Sequence, residues 1–335
     1  MTQKIDFLSV GDITTDAFVD IDDARIDTDK DEGDKGFEEI CFRFGDKIEY
    51  EDLTLVSAVG NAPNAAVSAH RLGLKTGLLT NLGDDTYGQK CVETLKEEGI
   101  SDEYIQVHEG KSSNFHIVLR FGPERTILVK HEVYPYSLPE DMDHPEWIYL
   151  SSLGSTSLEH HHEIAQYLKE HDEIKFAFQP GTFQMELGYE KLKDVYEVST
   201  VFFANKEEYQ RILETDEGDI PTLLETMHER GPKIAVLTDG PNGAYTYDGS
   251  EKWSIPMYPD PKPPVDRTGA GDSFSSTFTT ALALGNDIPT ALSWGPINSM
   301  SVVQYIGAQE GLLTREKLEE YLQNAPEDYT PQKLS

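Results

Sequence analysis

Within ten residues, Val265-Asp266-Arg267-Thr268-Gly269-Ala270-Gly271-Asp272-Ser273-Phe274 brings together two glycines, a carboxylate and the start of a helical pattern. Gly269 and Gly271 let the backbone approach a ligand with no Cβ in the way. Phe274, Phe278 and Leu282 recur at four-residue spacing, which predicts a helix with one buried face directly after the loop. The free N–H groups of its first turn and the positive end of its dipole make an anion pocket. The same amides favour an ionised Asp272. A carboxylate repels a phosphate that is merely bound nearby, but it has a use where a hydroxyl must lose its proton as a phosphoryl group arrives. An Asp at a helix start is ordinary by itself; Thr-Gly-Ala-Gly immediately before it favours the catalytic reading.

The remaining chain must hold that loop. Short apolar runs at Ile5–Val10, Thr76–Thr80, Trp147–Leu150, Ile174–Phe178, Thr200–Phe203 and Ile234–Thr238 alternate with segments of helical period. That order predicts an α/β fold, a doubly wound and mostly parallel sheet flanked by helices. Two groups of residues break the alternation. One comprises the pieces Ile40–Phe44 and Lys47–Tyr50; the other is a hairpin, Asn114–Phe121 with Arg125–His131, turned at Gly122-Pro123-Glu124. Their pairing with one another predicts a small β-sheet lid, with most of Phe42, Phe44, Phe115 and Phe121 in its core. Asp20–Gly36, rich in Asp and without apolar period, reads as an exposed loop or insertion.

Composition narrows the chemistry. Sixty-one Asp and Glu against 28 Lys and Arg give a net charge of −33 over 335 residues. This argues against nucleic acid and anionic membranes as partners. It fits a salt-rich milieu and a general composition bias equally well. No apolar run is long enough to span a bilayer, and no basic-then-apolar leader opens the sequence, so a soluble cytoplasmic protein is expected. Cys41 and Cys91 form neither a metal spacing nor a disulfide framework. His160-His161-His162 point around a helix instead of converging, which predicts a solvated face. Gly83–Lys90 lacks the Lys-Ser/Thr ending of a phosphate-binding P-loop, and Gly269-x-Gly271 lacks the third glycine of a dinucleotide fingerprint. An anionic substrate would have to be held by backbone amides, a few cations and metal ions.

Asp266-Arg267-Thr268-Gly269-Ala270-Gly271-Asp272 resembles the signature of the ribokinase-like (PfkB-type) carbohydrate kinases. Gly83-Asp84-Asp85-Thr86-Tyr87-Gly88, Asn205-Lys206-Glu207-Glu208 and Leu237-Thr238-Asp239-Gly240-Pro241-Asn242-Gly243-Ala244 resemble further elements of that family, so the likeness covers nearly the whole chain. It implies one kinase domain over 1–335, with a lid formed by about 17–54 and 112–132, that phosphorylates an alcohol group at the expense of ATP. In that picture Asp272 is the base and the N–H groups of Gly269, Ala270 and Gly271 form the anion hole. Asp16 grips sugar hydroxyls, with Gly60, Asn61 and Asn64 beside it. Asn205, Thr238, Gly240, Gly243 and Asn298 line ATP, and Glu208 holds Mg²⁺ through water. Asp266 and Thr268, with the Gly307 segment, match a region that binds a monovalent cation such as K⁺ in many members.

Plainer structural readings stand beside these. Asn205 with Glu208 is also a helix N-cap pattern, Pro241-Asn242-Gly243 is a common turn, and Asn298 could be a capping or surface amide. The chain departs from the family pattern at Val59-Gly60, where a Gly-Gly pair is usual, and at Gln179, where relatives often carry Asp or Asn. The resemblance also implies a homodimer through the lid. It leaves the acceptor open between a small sugar and a nucleoside, the latter with a lid Phe such as Phe115 stacking on the base. A catalytically silent sugar or nucleotide sensor on the same fold is the competing class, and the intact Asp272 argues against it.

Overall fold

The computed structural model describes residues 4–27, 39–122, 124–142 and 144–334. Among these residues a ten-stranded sheet forms the centre. Its parallel part runs, from one edge, through Ile105–His108, Thr76–Gly83, Phe7–Val10, Trp147–Leu150, Lys175–Phe178, Val201–Asn205 and Ile234–Thr238. Ala244–Tyr247, Lys252–Ile255 and Gln332–Leu334 extend the far edge antiparallel. Every residue of Phe7–Val10, Thr76–Gly83 and Trp147–Leu150 is buried, as expected for strands covered by helices on both faces. In such sheets, ligands bind beyond the carboxyl ends of the strands. No helix of the described residues is long and apolar enough to cross a membrane.

A second sheet of four strands, in the order Tyr50–Val59, Thr14–Ile21, Asn114–Phe121 and Glu124–Lys130, forms the lid. The expected hairpin is present, but it pairs with Thr14–Ile21 and not with the 40–50 pieces. Ile40–Phe44 shrinks to Glu39–Cys41, which pairs with Arg25–Asp27, and Lys47–Tyr50 contributes only Tyr50 to a lid strand. The reason lies in the sequence of the two lid strands, where Asp16, Asp20, Glu51 and Asp52 interrupt the apolar pattern that would mark them. Phe42 and Phe44 are 39% and 105% exposed, so neither is lid core. Within the predicted Asp20–Gly36 loop, Asp20 and Ile21 end a lid strand and Arg25–Asp27 form a short one; residues 28–38 lie outside the described residues.

Register sorts the lid's two faces. Asp16, Phe18, Val118 and His116 lie on the face toward the main domain, whereas Ala17, Leu55, Ile117 and Leu128 lie side by side on the other. Where the lid meets the domain, one extra residue enters between the Thr14–Val59 and Asp16–Val56 pairs, and Ala58 there adopts φ 61°. A left-handed non-glycine residue at a bulge has to be held by its surroundings. The Ala58 N–H donates to Cys91 Sγ at 3.2 Å, and its carbonyl accepts from Gln309 Nε2 at 2.7 Å. Cys41 and Cys91 are both free.

The histidine run is not a solvated face. His160 and His161 are buried because the helix Leu158–Glu170 packs against Lys193–Val198. His161 Nδ1 donates to Ser157 O at 2.7 Å, and burial pulls its pKa down to about 4.

Candidate active site

The helix after the glycine loop spans Ala270–Ala283 and is capped by Gly269 in the left-handed conformation, φ 79°. A Cβ on Gly269 would stand 2.4 Å from Ala308 Cβ, so the turn requires glycine for both its backbone angle and its space. The helix is buried on all sides, not on one face as its Phe spacing suggests. Its hydroxyls make this tolerable by bonding back along the helix: Ser275, Ser276, Thr279 and Thr280 each donate to the carbonyl four residues earlier. Among the described residues the Gly269 and Gly271 N–H groups have no protein acceptor, and the Ala270 N–H makes only a long 3.4 Å contact to Arg267 O. Two donors are thus left for a ligand, with a third only weakly engaged.

Asp272 is buried, 8% exposed, and accepts three amide hydrogen bonds. Asn61 Nδ2 donates to Oδ1 at 2.8 Å, Gln179 Nε2 to the same oxygen at 3.1 Å, and Asn64 Nδ2 to Oδ2 at 2.8 Å. A second layer fixes which way these amides point. Tyr149 O–H donates to Gln179 Oε1, and Gln309 Nε2 donates to Asn64 Oδ1 at 3.0 Å. A carboxylate offers about four acceptor positions, so one lone pair remains for an incoming hydroxyl. Asn61 and Asn64, expected beside the sugar, are therefore donors to Asp272 as well as walls of its cavity. Gln179, a departure from the family pattern, is the third donor.

Three cavities converge here. The first, about 270 Å³, is lined by Thr238, Gly240 and Gly243 together with Met257, Tyr258, Phe274, Pro296 and Met300. It is an apolar slot of the kind that takes a flat heterocycle. A Cβ on Gly243 would meet Ile255 O at 2.0 Å, so glycine is obligatory in this wall. The second, about 290 Å³, holds Asp16, Gly60, Asn61, Asn64 and Asp272, with Val59 and the lid residues Phe18, His116 and Arg125. Asp16 Oδ1 lies 3.3 Å from His116 Nδ1, yet neither Asp16 Oδ1 nor His116 Nε2 makes an aligned hydrogen bond. The unused hydrogen-bonding capacity of this pair makes the cavity one that suits a polar ligand. The third, about 250 Å³, contains Asn205, Glu208, Thr238 and Gln179. Gly271 lines all three.

The sequence profile of the pfkB family carbohydrate kinases matches residues 36–315. The chain belongs to that family. It is 29% identical over 271 residues to a ribokinase of Bacillus subtilis (strain 168), covering 78% of this chain and 87% of that one. The ribokinase of Arabidopsis thaliana complexed with ribose and ATP shares the fold with a TM-score of 0.80 at 18% identity, over 96% and 99% of the two chains. A nucleoside kinase of Methanocaldococcus jannaschii does so with a TM-score of 0.76 at 20% identity, over 96% and 99%.

Three residues of this pfkB kinase are placed differently from expectation. Asn298 does not reach the nucleotide slot. It is fully buried, donating to Thr277 Oγ1 at 2.7 Å and accepting from Leu313 N at 2.9 Å, so it ties two helices to a loop. Asp266 and Thr268 bind each other: Asp266 Oδ1 accepts from Thr268 N at 2.9 Å and Thr268 Oγ1 at 2.7 Å, and Oδ2 from Gly307 N at 3.0 Å. Arg125 Nη1 lies a further 3.5 Å from Oδ1. A carboxylate filled by donors and faced by a guanidinium is a loop clamp and does not suit a monovalent cation.

Asn205 and Glu208 form the reciprocal helix cap, with Glu208 Oε2 accepting from Asn205 N at 2.8 Å and Asn205 Oδ1 from Glu208 N at 2.9 Å. Burial raises the Glu208 pKa, and the negative charge of Asp272 adds to the rise. A half-buried carboxylate with one oxygen still uncommitted, close enough to feel the charge of Asp272, fits a hydrated divalent cation. The three described residues whose His, Asp or Glu ligand atoms otherwise cluster, His144, His171 and Glu173, adjoin the amino ends of the strands, away from this site.

Burial also pushes the Asp272 carboxyl above its ordinary 3.8, against the pull of its three amide donors. A carboxylate that serves as a base works only when ionised, so with Asp272 in that role activity should fall as pH drops through the raised pKa. The acid limb of kcat/KM for the phosphate acceptor should therefore lie above pH 3.8 with a slope of one proton; a profile flat down to pH 4 would contradict this role.

Proposed function

We propose that this pfkB kinase moves the γ-phosphoryl group of ATP to an alcohol group of a small sugar, a pentose or hexose. The observation that carries the proposal is the convergence at Gly271: the apolar slot, the Glu208 cavity and the polar cavity that holds Asp272 are all lined by this one residue of the amide cradle, next in the chain to Asp272. Adenine occupies the slot past Thr238, Gly240 and Gly243, and the phosphates reach the amides of Gly269, Ala270 and Gly271. Asp16, His116 and Gly60 receive the sugar. Asp272 takes the proton of the attacking hydroxyl as its oxygen bonds to phosphorus and the bond to ADP breaks. Glu208 would hold hydrated Mg²⁺, which when bound neutralises charge on the phosphates. The lid carries Asp16 and His116, so sugar binding draws it shut and keeps water from the phosphoryl group.

A nucleoside acceptor finds less support. Phe115, the candidate stacking residue, packs on Tyr87 with ring centroids 4.6 Å apart, on the lid face turned away from the cavity. The test is ADP release with ATP and Mg²⁺ over a panel of pentoses, hexoses, sugar acids and nucleosides. A sugar should give turnover well above the rate without acceptor. Preference for nucleosides would replace the sugar assignment, and ligand binding without ADP would support the silent sensor.

The outer lid face leaves Leu53, Leu55 and Leu128 about half exposed, and a contiguous apolar patch of this kind suits a second protomer. Light scattering should give a dimer that Leu55→Asp dissociates; a monomer at micromolar concentration would remove this part.

A further inference from the structure

The nucleotide slot and the acceptor cavity share three lining residues: Ala270, Gly271 and Arg267. The first two belong to the amide cradle. The third has no assigned role, and its surroundings are unusual for a chain of charge −33. Among the described residues no carboxylate or carbonyl pairs with the Arg267 guanidinium. Asp260, another residue of the slot, is near enough to feel its charge without an ion pair. The backbone on either side is fixed, because Asp266 is clamped by Thr268 and Gly307. Among the described residues Arg267 is also the only basic one lining the nucleotide slot, and the Glu208 cavity has none. Without Arg267 a nucleoside triphosphate would meet no cationic side chain in these two cavities.

We propose that Arg267 is a catalytic residue that binds the transferring phosphoryl group where donor and acceptor cavities meet. This rests on the kinase reading above. In the transfer, the bond between γ-phosphorus and the bridging oxygen breaks and its electron pair leaves with ADP. The acceptor oxygen bonds to phosphorus and its proton goes to Asp272. Negative charge on the equatorial oxygens lies between the amide cradle on one side and the guanidinium on the other. An arginine in that position accelerates phosphoryl transfer by about 10³- to 10⁵-fold in enzymes that rely on one. This one is solvent-exposed and shares its task with the cradle, so about 10²-fold is the expectation here.

The experiment compares wild type, Arg267→Ala and Arg267→Lys with ATP, Mg²⁺ and the best acceptor from the panel. Arg267→Ala should lower kcat about 10²-fold, with millimolar guanidinium chloride restoring part of it and Arg267→Lys falling between the two. Calorimetry should show tighter binding of Mg·ADP with aluminium fluoride to wild type than to Arg267→Ala, and equal affinity of both for AMP. An Arg267→Ala kcat within about threefold of wild type would overturn the proposal, as would loss of AMP affinity in step with kcat, since that points to a misplaced slot. A wild type that turns over no acceptor would instead sink the kinase reading itself.

Discussion

Asp272→Asn is expected to lower kcat by about 10²-fold or more, the range for loss of a general base, with a much smaller change in ATP affinity. The substituted amide has no basic lone pair for the acceptor proton. It also disturbs the local network: with its oxygen toward Asn61 and Gln179, its NH₂ group faces the Asn64 amide that formerly donated to Oδ2. Asn64 cannot turn without breaking its bond from Gln309. The variant therefore loses both the base and part of its setting. Steady-state kinetics with acceptor and ATP varied separately checks this, and near-normal turnover would remove Asp272 from the chemistry.

Asp16→Ala should raise the acceptor KM about 10- to 100-fold, the equivalent of one or two hydrogen bonds to a charged group, while kcat at saturation changes little. Asp16 stands in the acceptor cavity, paired across the lid register with His116 at 3.3 Å, and its Oδ1 makes no aligned hydrogen bond. Its removal thus takes away ligand contacts at the cost of one contact within the protein, that to His116. Turnover with an unchanged acceptor KM would place the sugar elsewhere.

These sites differ in how far the sequence discloses them. The glycine loop and its carboxylate are local: five consecutive residues, Thr268 to Asp272, contain both the amides and the carboxylate, and helix-start chemistry suffices to read them. The central strands are equally legible because parallel strands covered on both faces are plain apolar runs. The lid is not, since its strands Thr14–Ile21 and Tyr50–Val59 carry acidic residues that serve the cavity or solvent and break the alternation. The amide clamp on Asp272 is the least legible part. It joins residues 61, 64 and 179 to 272 through contacts that exist only after folding, and an isolated Gln179 looks like a lost acid and not like a donor. Asn298 shows the converse: a match in sequence position says nothing about whether the side chain turns toward a ligand or into the helix packing.

The central claim is that an alcohol, deprotonated by Asp272, receives phosphorus from ATP. ³¹P NMR of the wild-type protein with ATP, Mg²⁺ and each sugar of the panel tests it most directly. The account predicts a phosphomonoester resonance growing in step with ADP and only when the acceptor is present. Conversion of ATP to ADP and inorganic phosphate alone, or no conversion with any polyol, would contradict it.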